Sequence, residues 1–423
     1  MASNGHNAET QPRRPPGVYF DFVSRPAPTL RRRSDIAGFV GAVYSDSVMK
    51  ARRIEELDRV STDAWLCNGL QDYYSAFGRD PAIGHLEDAV RGFFSNGGQT
   101  CFVAPILVER PKKKNDDSER PKIKLSFAHF KDPLEKLAAV DAVSLISVPD
   151  AVLPETEERP EIWQAMVLQA EQLGDRIALL DPPCHWAADK EWQETFPRSD
   201  SALAALYWPW LKIPSDTPDP GGGGYTRAVP PSGHIAGTIA QRDIARGVFA
   251  PPANMVIEGA VGVARELTPE QRADINDAGI NVIVALPGRG IRAMGARTLS
   301  EKTHEYRWLN VRRLVTHLCE WIAEDTQWTV FEPHSEVLWR AIERLVRTIL
   351  FDLWRRGGLV GATDDEAYFV HCDKTTNPRE ETEQGRVICL IGLRPAPPAE
   401  MITVRIGIAE GRVELLDREV SNG

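Results

Sequence analysis

Close cysteine pairs are missing from this sequence. The six cysteines (Cys67, Cys101, Cys184, Cys319, Cys372, Cys389) are scattered singly with no C-x-x-C spacing, which excludes a zinc ribbon and a dense disulfide framework and predicts free thiols. Long apolar runs are missing as well. No stretch approaches the roughly 20 residues of a membrane span, and the opening MASNGHNAETQPRRPPG lacks the apolar run of a secretory signal. No stable membrane insertion is expected, and synthesis in the cytoplasm is the default reading. There is no basic excess: 50 Lys and Arg against 60 Asp and Glu give a net charge of −10, the wrong sign for a general nucleic-acid binder. Nor is there a G-x-x-x-x-G-K-[ST] phosphate loop, an H-E-x-x-H pair or a G-x-S-x-G elbow, so no familiar nucleotide, zinc-peptidase or esterase site is encoded and neither a metal nor a cofactor is expected.

What is present is a globular composition, 42% hydrophobic and 26% charged over 423 residues, enough for more than one core. Val18, Phe20 and Phe22 alternate in a short strand on an exposed arm, before two prolines and three arginines. Residues 36–44 (IAGFVGAVY) read as a buried strand that begins a domain. Residues 109–122 (ERPKKKNDDSERPK) are a charge-dense solvated insertion. A continuous strand over 140–150, a helix over 161–174 and a second strand over 176–183 imply a parallel α/β layer. SALAALYWPWLKIP (201–214) continues it, the glycines at 221–224 form a loop, a helix covers 234–246 and a strand 280–287. Beyond residue 300 the pattern changes to two amphipathic helices, 308–324 and 336–356, the second with Leu338, Ile342, Leu345, Ile349 and Leu353 at helical spacing and Ser335 as N-cap. Strands at 366–373, 386–395 and 401–408 complete an α+β unit.

Three segments invite a chemical reading. Gly288 and Gly290 follow a strand, but a third glycine at phosphate-cradling spacing is missing, so a tight turn is predicted. His371, Cys372 and Asp373 lie at a strand end, where alternation sends His and Cys to opposite faces. SGHIAGTIA (232–240) resembles the nucleophile helix of subtilisin-like proteases, whose G-T-S-M-A-x-P-H-V-A-G pattern puts the serine five places before the histidine. Counting back from His234 reaches Val229, which has no hydroxyl to deprotonate, so the triad cannot operate. The helix is left as one whose small residues allow close packing on a sheet.

Blocks in order along the chain resemble those of contractile tail sheath proteins. They include PGVYFDFVS, IAGFVG, VSLISVPD, RIALLDPP, ALYWPWLKI, PPSGHIAGTIAQRDIARGVFAPPAN, INVIVALPGRGIRAMGARTLS and WLNVRRLVTHLCEWI, then the run from TQWTVFEPHSEVLW through AYFVHCD to GRVICLIGLRPAPPAEMITVRI. The resemblance implies a multidomain α/β and α+β chain: a subtilisin-like α/β middle domain without a catalytic triad, an α+β C-terminal sheath domain, and extended N- and C-terminal strand arms. The expected division is a linking arm (1–33), the N-terminal part of the core (34–100), the middle domain (101–300), the C-terminal sheath domain (301–398) and a C-terminal strand and arm (399–423).

By the same resemblance the chain is a structural subunit that polymerises around a rigid tail tube and contracts. Its partners would be copies of itself, the tube protein, and baseplate and terminator or cap proteins, within a phage tail or phage tail-like particle. Neighbours would be linked by strand addition, with Val18, Phe20 and Phe22 on one arm and Ile402, Val404 and Ile406 on the other. Arg340, Arg344 and Arg347 share a helix face at i, i+4 and i+7 and are candidates to meet an acidic tube surface. Prolines beside the arms would act as hinges, and a metastable extended sheath would store its free energy in subunit contacts, so contraction needs no nucleotide site. The readings from other classes are an α/β hydrolase, which needs a nucleophile and base that the count does not find, and a soluble ligand-binding protein, which needs a stable monomer despite strand-forming arms.

Overall fold

The structure, a computed structural model, describes residues 33–53, 61–79, 83–110, 124–154, 157–184, 200–216, 225–300 and 306–396, and the backbone of 402–409 and 412–415. Val18, Phe20 and Phe22, most of the charged insertion and the glycines at 221–224 lie outside the described residues.

The first elements are β1 (Ala37–Tyr44), α1 (Ser45–Arg52), β2 (Trp65–Cys67), α2 (Leu70–Phe77), α3 (Leu86–Ser95) and β3 (Cys101–Val108). There follow α4 (Ala128–Ala138), β4 (Leu145–Ser147), α5 (Arg159–Leu173), β5 (Ile177–Leu180), β6 (Ala204–Trp208), β7 (Leu211–Pro214), β8 (Thr226–Val229), α6 (Ser232–Arg246), β9 (Gly262–Val263), α7 (Pro269–Asp277), β10 (Asn281–Leu286) and β11 (Gly290–Ala293). These strands build an eight-stranded sheet in the order β11-β10-β6-β5-β4-β1-β3-β2, parallel from β10 to β3, and a small sheet β8-β7-β9. The predicted parallel layer is therefore present, and it draws strands from both sides of residue 100. The strand expected over 140–150 is shorter, spanning only Leu145–Ser147, and beyond Val148 the chain turns into a 3-10 segment at Pro149.

Burial explains the run of apolar residues in β1. All eight of its residues are buried, flanked by β4 and β3 with α3 and α4 packed against it, as a central parallel strand requires. Gly41 and Gly84 leave a niche for the Asp150 carboxylate, since a Cβ at either would collide with it. That carboxylate accepts from Ala42 N (2.7 Å) and His85 N (2.6 Å). The small residues of α6 serve a close approach to α3 as well as to the sheet. A Cβ at Gly233 or Gly237 would overlap the backbone of α3 at Ala89 or Phe93, so the two helices touch main chain to main chain, while α6 also contacts β4 and β5.

The last third contains α8 (Leu309–Asp325), α9 (Glu336–Arg355), α10 (Asp364–Ala367), β12 (Tyr368–His371), α11 (Arg379–Glu383), β13 (Val387–Leu393), β14 (Ile402–Ala409) and β15 (Arg412–Leu415). Its sheet runs β12-β13-β14-β15, antiparallel throughout. Leu338, Ile342, Ile349 and Leu353 of α9 are buried in a second core with Val370, Ile391 and Leu393, and Ser335 caps the helix by accepting from Leu338 N at 3.2 Å.

One buried ion pair ties this part to the large sheet. Arg313 on α8 donates from Nη1 and Nη2 to the Asp243 carboxylate on α6 at 2.9 and 2.6 Å, with both side chains 3% exposed. Arg313 Nη2 also donates to Ser34 O (2.8 Å), while Ser34 Oγ donates to Asp243 Oδ2 (2.8 Å) and Ser144 Oγ to Ser34 O (2.5 Å). The stretch preceding β1 is thus fixed to two helices at once. Removing one partner strands a buried charge, so Arg313→Met should lower the unfolding free energy by about 3–5 kcal/mol. The double variant Arg313→Met/Asp243→Leu should regain most of that loss in urea unfolding.

Candidate functional site

Two places could carry function: the N-terminus of α6, where the protease-like pattern falls, and the surface of α9, where the arginines gather. At the first, Val229 is fully buried on β8, so the position from which a nucleophile would act holds a core side chain. Three residues on, Ser232 opens α6 and is itself sealed, at 1% exposure. Its N–H donates to Asp181 Oδ1 (3.0 Å), its hydroxyl to Asp181 Oδ2, and Ser147 Oγ lies 2.7 Å from Ser232 Oγ. Asp181 ends β5 and caps the helix, where an anion is favoured by the free N–H groups. Burial nevertheless pushes its pKa up to about 7, against the two hydrogen bonds from Ser232 that pull it down. His234 packs against Gly92, and burial lowers its pKa to about 4 with Arg91 acting in the same direction. With Ser147, Asp181, Ser232 and His234 all buried, a substrate has no route to this cluster. The serine and the aspartate hold a helix start to a strand end.

Sequence reasoning missed this cluster because it looked five residues before His234. The only hints were a serine after two prolines (Pro230, Pro231) and an aspartate closing RIALLD, both ordinary helix-start and strand-end signals. The other segments match their readings. Gly288 (φ 69°) and Gly290 (φ 78°) turn the β10–β11 hairpin, where Arg289 N donates to Leu286 O at 2.9 Å. Cys372 is buried while His371 and Asp373 are exposed. Asp373 Oδ1 accepts from Thr375 N (2.7 Å), which makes it a turn residue. All six cysteines are free thiols, and among the described residues no group of three or more His, Cys, Asp or Glu could hold a metal ion.

The second place is a groove of about 530 Å³ between α9 and β12, lined by Arg340, Glu343, Arg344, Arg347, Phe351 and Tyr368 among others. It brings Arg340, Arg344 and Arg347 to one surface, as their spacing predicted. Arg340 and Arg344 are exposed, and Arg340 lies 3.7 Å from Glu336. Arg347 is turned inward: Nε donates to Glu343 Oε1 (3.1 Å) and Nη2 to Val370 O (3.0 Å). Ile402, Val404 and Ile406 lie on β14, paired within the same chain to Leu393, Ile391 and Cys389.

A family model described as phage tail sheath protein central domain matches residues 141–299, and another, phage tail sheath C-terminal domain, matches residues 301–409. Together they take in more than half of the chain. The chain belongs to the phage tail sheath family. The junction between the two sheath matches falls where the large sheet ends and α8 follows.

Among sheath relatives, the tail sheath protein of Vibrio phage KVP40 (isolate Vibrio parahaemolyticus/Japan/Matsuzaki/1991) is 26% identical over 181 residues, 42% of this chain, and the match spans 26% of that phage protein. A chain of the anti-feeding prophage baseplate, 6-fold symmetrised, is 27% identical with a TM-score of 0.67, covering 92% of this chain and 98% of that one. A chain of the anti-feeding prophage helical sheath in contracted state has the same identity and TM-score and covers 92% and 97%. The fold alone is shared with a sheath tail protein from Desulfitobacterium hafniense, 11% identical, TM-score 0.62, covering 93% and 100%. No helix among the described residues is long and apolar enough to cross a membrane.

The Asp181 cluster sets a pH dependence. An unfolded aspartate titrates near ~3.9, whereas the folded carboxyl keeps its proton to about 7. The stabilising contribution is complete below the unfolded value and is lost as pH rises through the folded one. Asp181→Asn mimics the protonated form, so relative to the parent it should gain about 1–3 kcal/mol between pH 5 and pH 8. Urea unfolding at the two pH values reads this, and parallel profiles for parent and variant would contradict it.

Proposed function

We propose that the chain is the sheath subunit of a contractile phage tail or phage tail-like particle, and that it polymerises around a tube and shortens by rigid-body movement of linked subunits. The observation that carries this reading is the likeness over nearly the whole length of both chains to a contracted helical sheath, at 27% identity. The middle part acts as a subtilisin-like scaffold without chemistry, in keeping with Val229 and the sealed serine. The partners are other copies of the chain, a tube protein, and the baseplate and terminal proteins of the particle.

Linkage by strand addition draws support from the C-terminal sheet. Among the described residues no strand pairs with the second side of β12, and a groove with apolar and cationic walls lies beside it. An extended segment of a neighbour containing Val18, Phe20 and Phe22 would satisfy the main-chain groups of that edge whatever its side chains, while the groove selects among them. The pairing of β14 with β13 uses the same ladder that exchange between neighbours would use, so donation of Ile402, Val404 and Ile406 replaces a pairing instead of adding one.

Arg340 and Arg344 supply the cationic surface for an acidic tube, in a contact that salt screens and contraction can release. Arg340→Glu/Arg344→Glu should weaken decoration of tubes by roughly tenfold at low salt and leave the folding of the subunit unchanged. The broader reading is tested by expressing the full chain and a version lacking residues 1–33 with the tube protein and viewing both by negative-stain electron microscopy. Striated tubes from the full chain alone are expected. Monodisperse monomers from both would overturn the reading.

A further inference from the structure

The free edge of β12 is not bare. Arg394 N donates to Ala367 O at 2.9 Å, so Ala367 and Arg394 form a hydrogen-bonded pair at the start of the β12–β13 ladder. In an antiparallel pair such positions alternate. With the register Tyr368↔Leu393, Phe369↔Gly392, Val370↔Ile391, His371↔Leu390, Phe369 and His371 direct their main-chain groups toward β13, and Tyr368 and Val370 direct theirs outward. The outward carbonyl of Val370 is the one that Arg347 Nη2 occupies at 3.0 Å. Glu343, one turn earlier on α9, holds the guanidinium there through Nε at 3.1 Å.

We propose that Arg347 is a latch on the β12 edge: it fills the Val370 carbonyl in the free subunit, and the incoming strand of a second copy must displace it. This rests on the strand-addition reading above and adds the residue that regulates it. An open strand edge promotes uncontrolled pairing, and a charged side chain laid across it is a recognised protection. Arg347 suits a reversible version, being anchored by one carboxylate and one carbonyl while 39% exposed, so that no buried charge is stranded when it swings away.

The test uses the purified full chain and follows polymer growth by light scattering and sedimentation. Arg347→Met leaves the edge open and should shorten the lag of tube-free polymerisation by roughly tenfold. Arg347→Lys, which keeps the charge without the fork, should fall between. An unchanged or longer lag for Arg347→Met, at an unaltered thermal midpoint, would overturn the latch. If the lag shortens for Arg347→Met but the midpoint falls with it, the Arg347→Lys lag decides, since a merely destabilised fold would leave Lys like the parent. Failure of the unsubstituted chain to polymerise even on a tube would overturn the underlying strand-addition reading and the latch with it.

Discussion

A guanidinium and a carboxylate taken out of water together hold this molecule to one shape. Arg313 and Asp243 join the helical layer of the C-terminal part to α6, and through Ser34 they join both to the chain that leads into β1. Each charge would be costly alone in that position, so the pair fixes the relative placement of three segments far apart in sequence. The glycine-mediated contact of α6 with α3, and the Asp181 cap at the start of the same helix, fix its other face and its other end. As a result the N-terminal half of α6, the helix that resembles a protease element, is held on several sides and closed to a substrate.

That rigidity has a use on the proposed reading. A linking segment passes its pull to the body of the subunit through the residues at its root. Here the root residue Ser34 is bonded to Asp243, Arg313 and Ser144, so on that proposal tension from a neighbour would reach the large sheet and the C-terminal helices directly. Bodies that do not deform, joined through strands that stay paired, convert a change of contacts into rotation and shortening. The surface proposed to meet a tube would have to behave differently, since contacts of exposed arginines with acidic partners are weak and screened by salt.

Much of the fold was legible because burial leaves a clear trace in sequence. The runs of β1, β5 and β10 and the periodicity of α8 and α9 predicted their elements to within a few residues, since apolar side chains had to recur at those spacings to reach a core. The strand over residues 140–150 reads too long at its end because Val148, Pro149 and Asp150 do not announce a 3-10 turn. The functional geometry was harder to read. The spacing of Arg340, Arg344 and Arg347 gave their common face, but nothing in the sequence says that Arg347 bends toward a strand 23 residues later. Arg313 stands beside Arg312 in an ordinary amphipathic helix, and only the packing of α6 distinguishes it. Ser232 and Asp181 were hidden for the same reason: capping and anchoring use common residues, and their meaning lies in the partner.

On the proposed function, a sheath subunit receives a strand from its neighbour at its β12 edge while its body stays rigid. The most direct measurement is an electron cryo-microscopy reconstruction of the assembled polymer. The expected result is a strand from a neighbouring copy hydrogen-bonded to the outward main-chain groups of Tyr368 and Val370, with Arg347 moved off the edge and the Arg313–Asp243 pair intact. An empty β12 edge in a well-ordered polymer, with subunits touching through side chains alone, would contradict it.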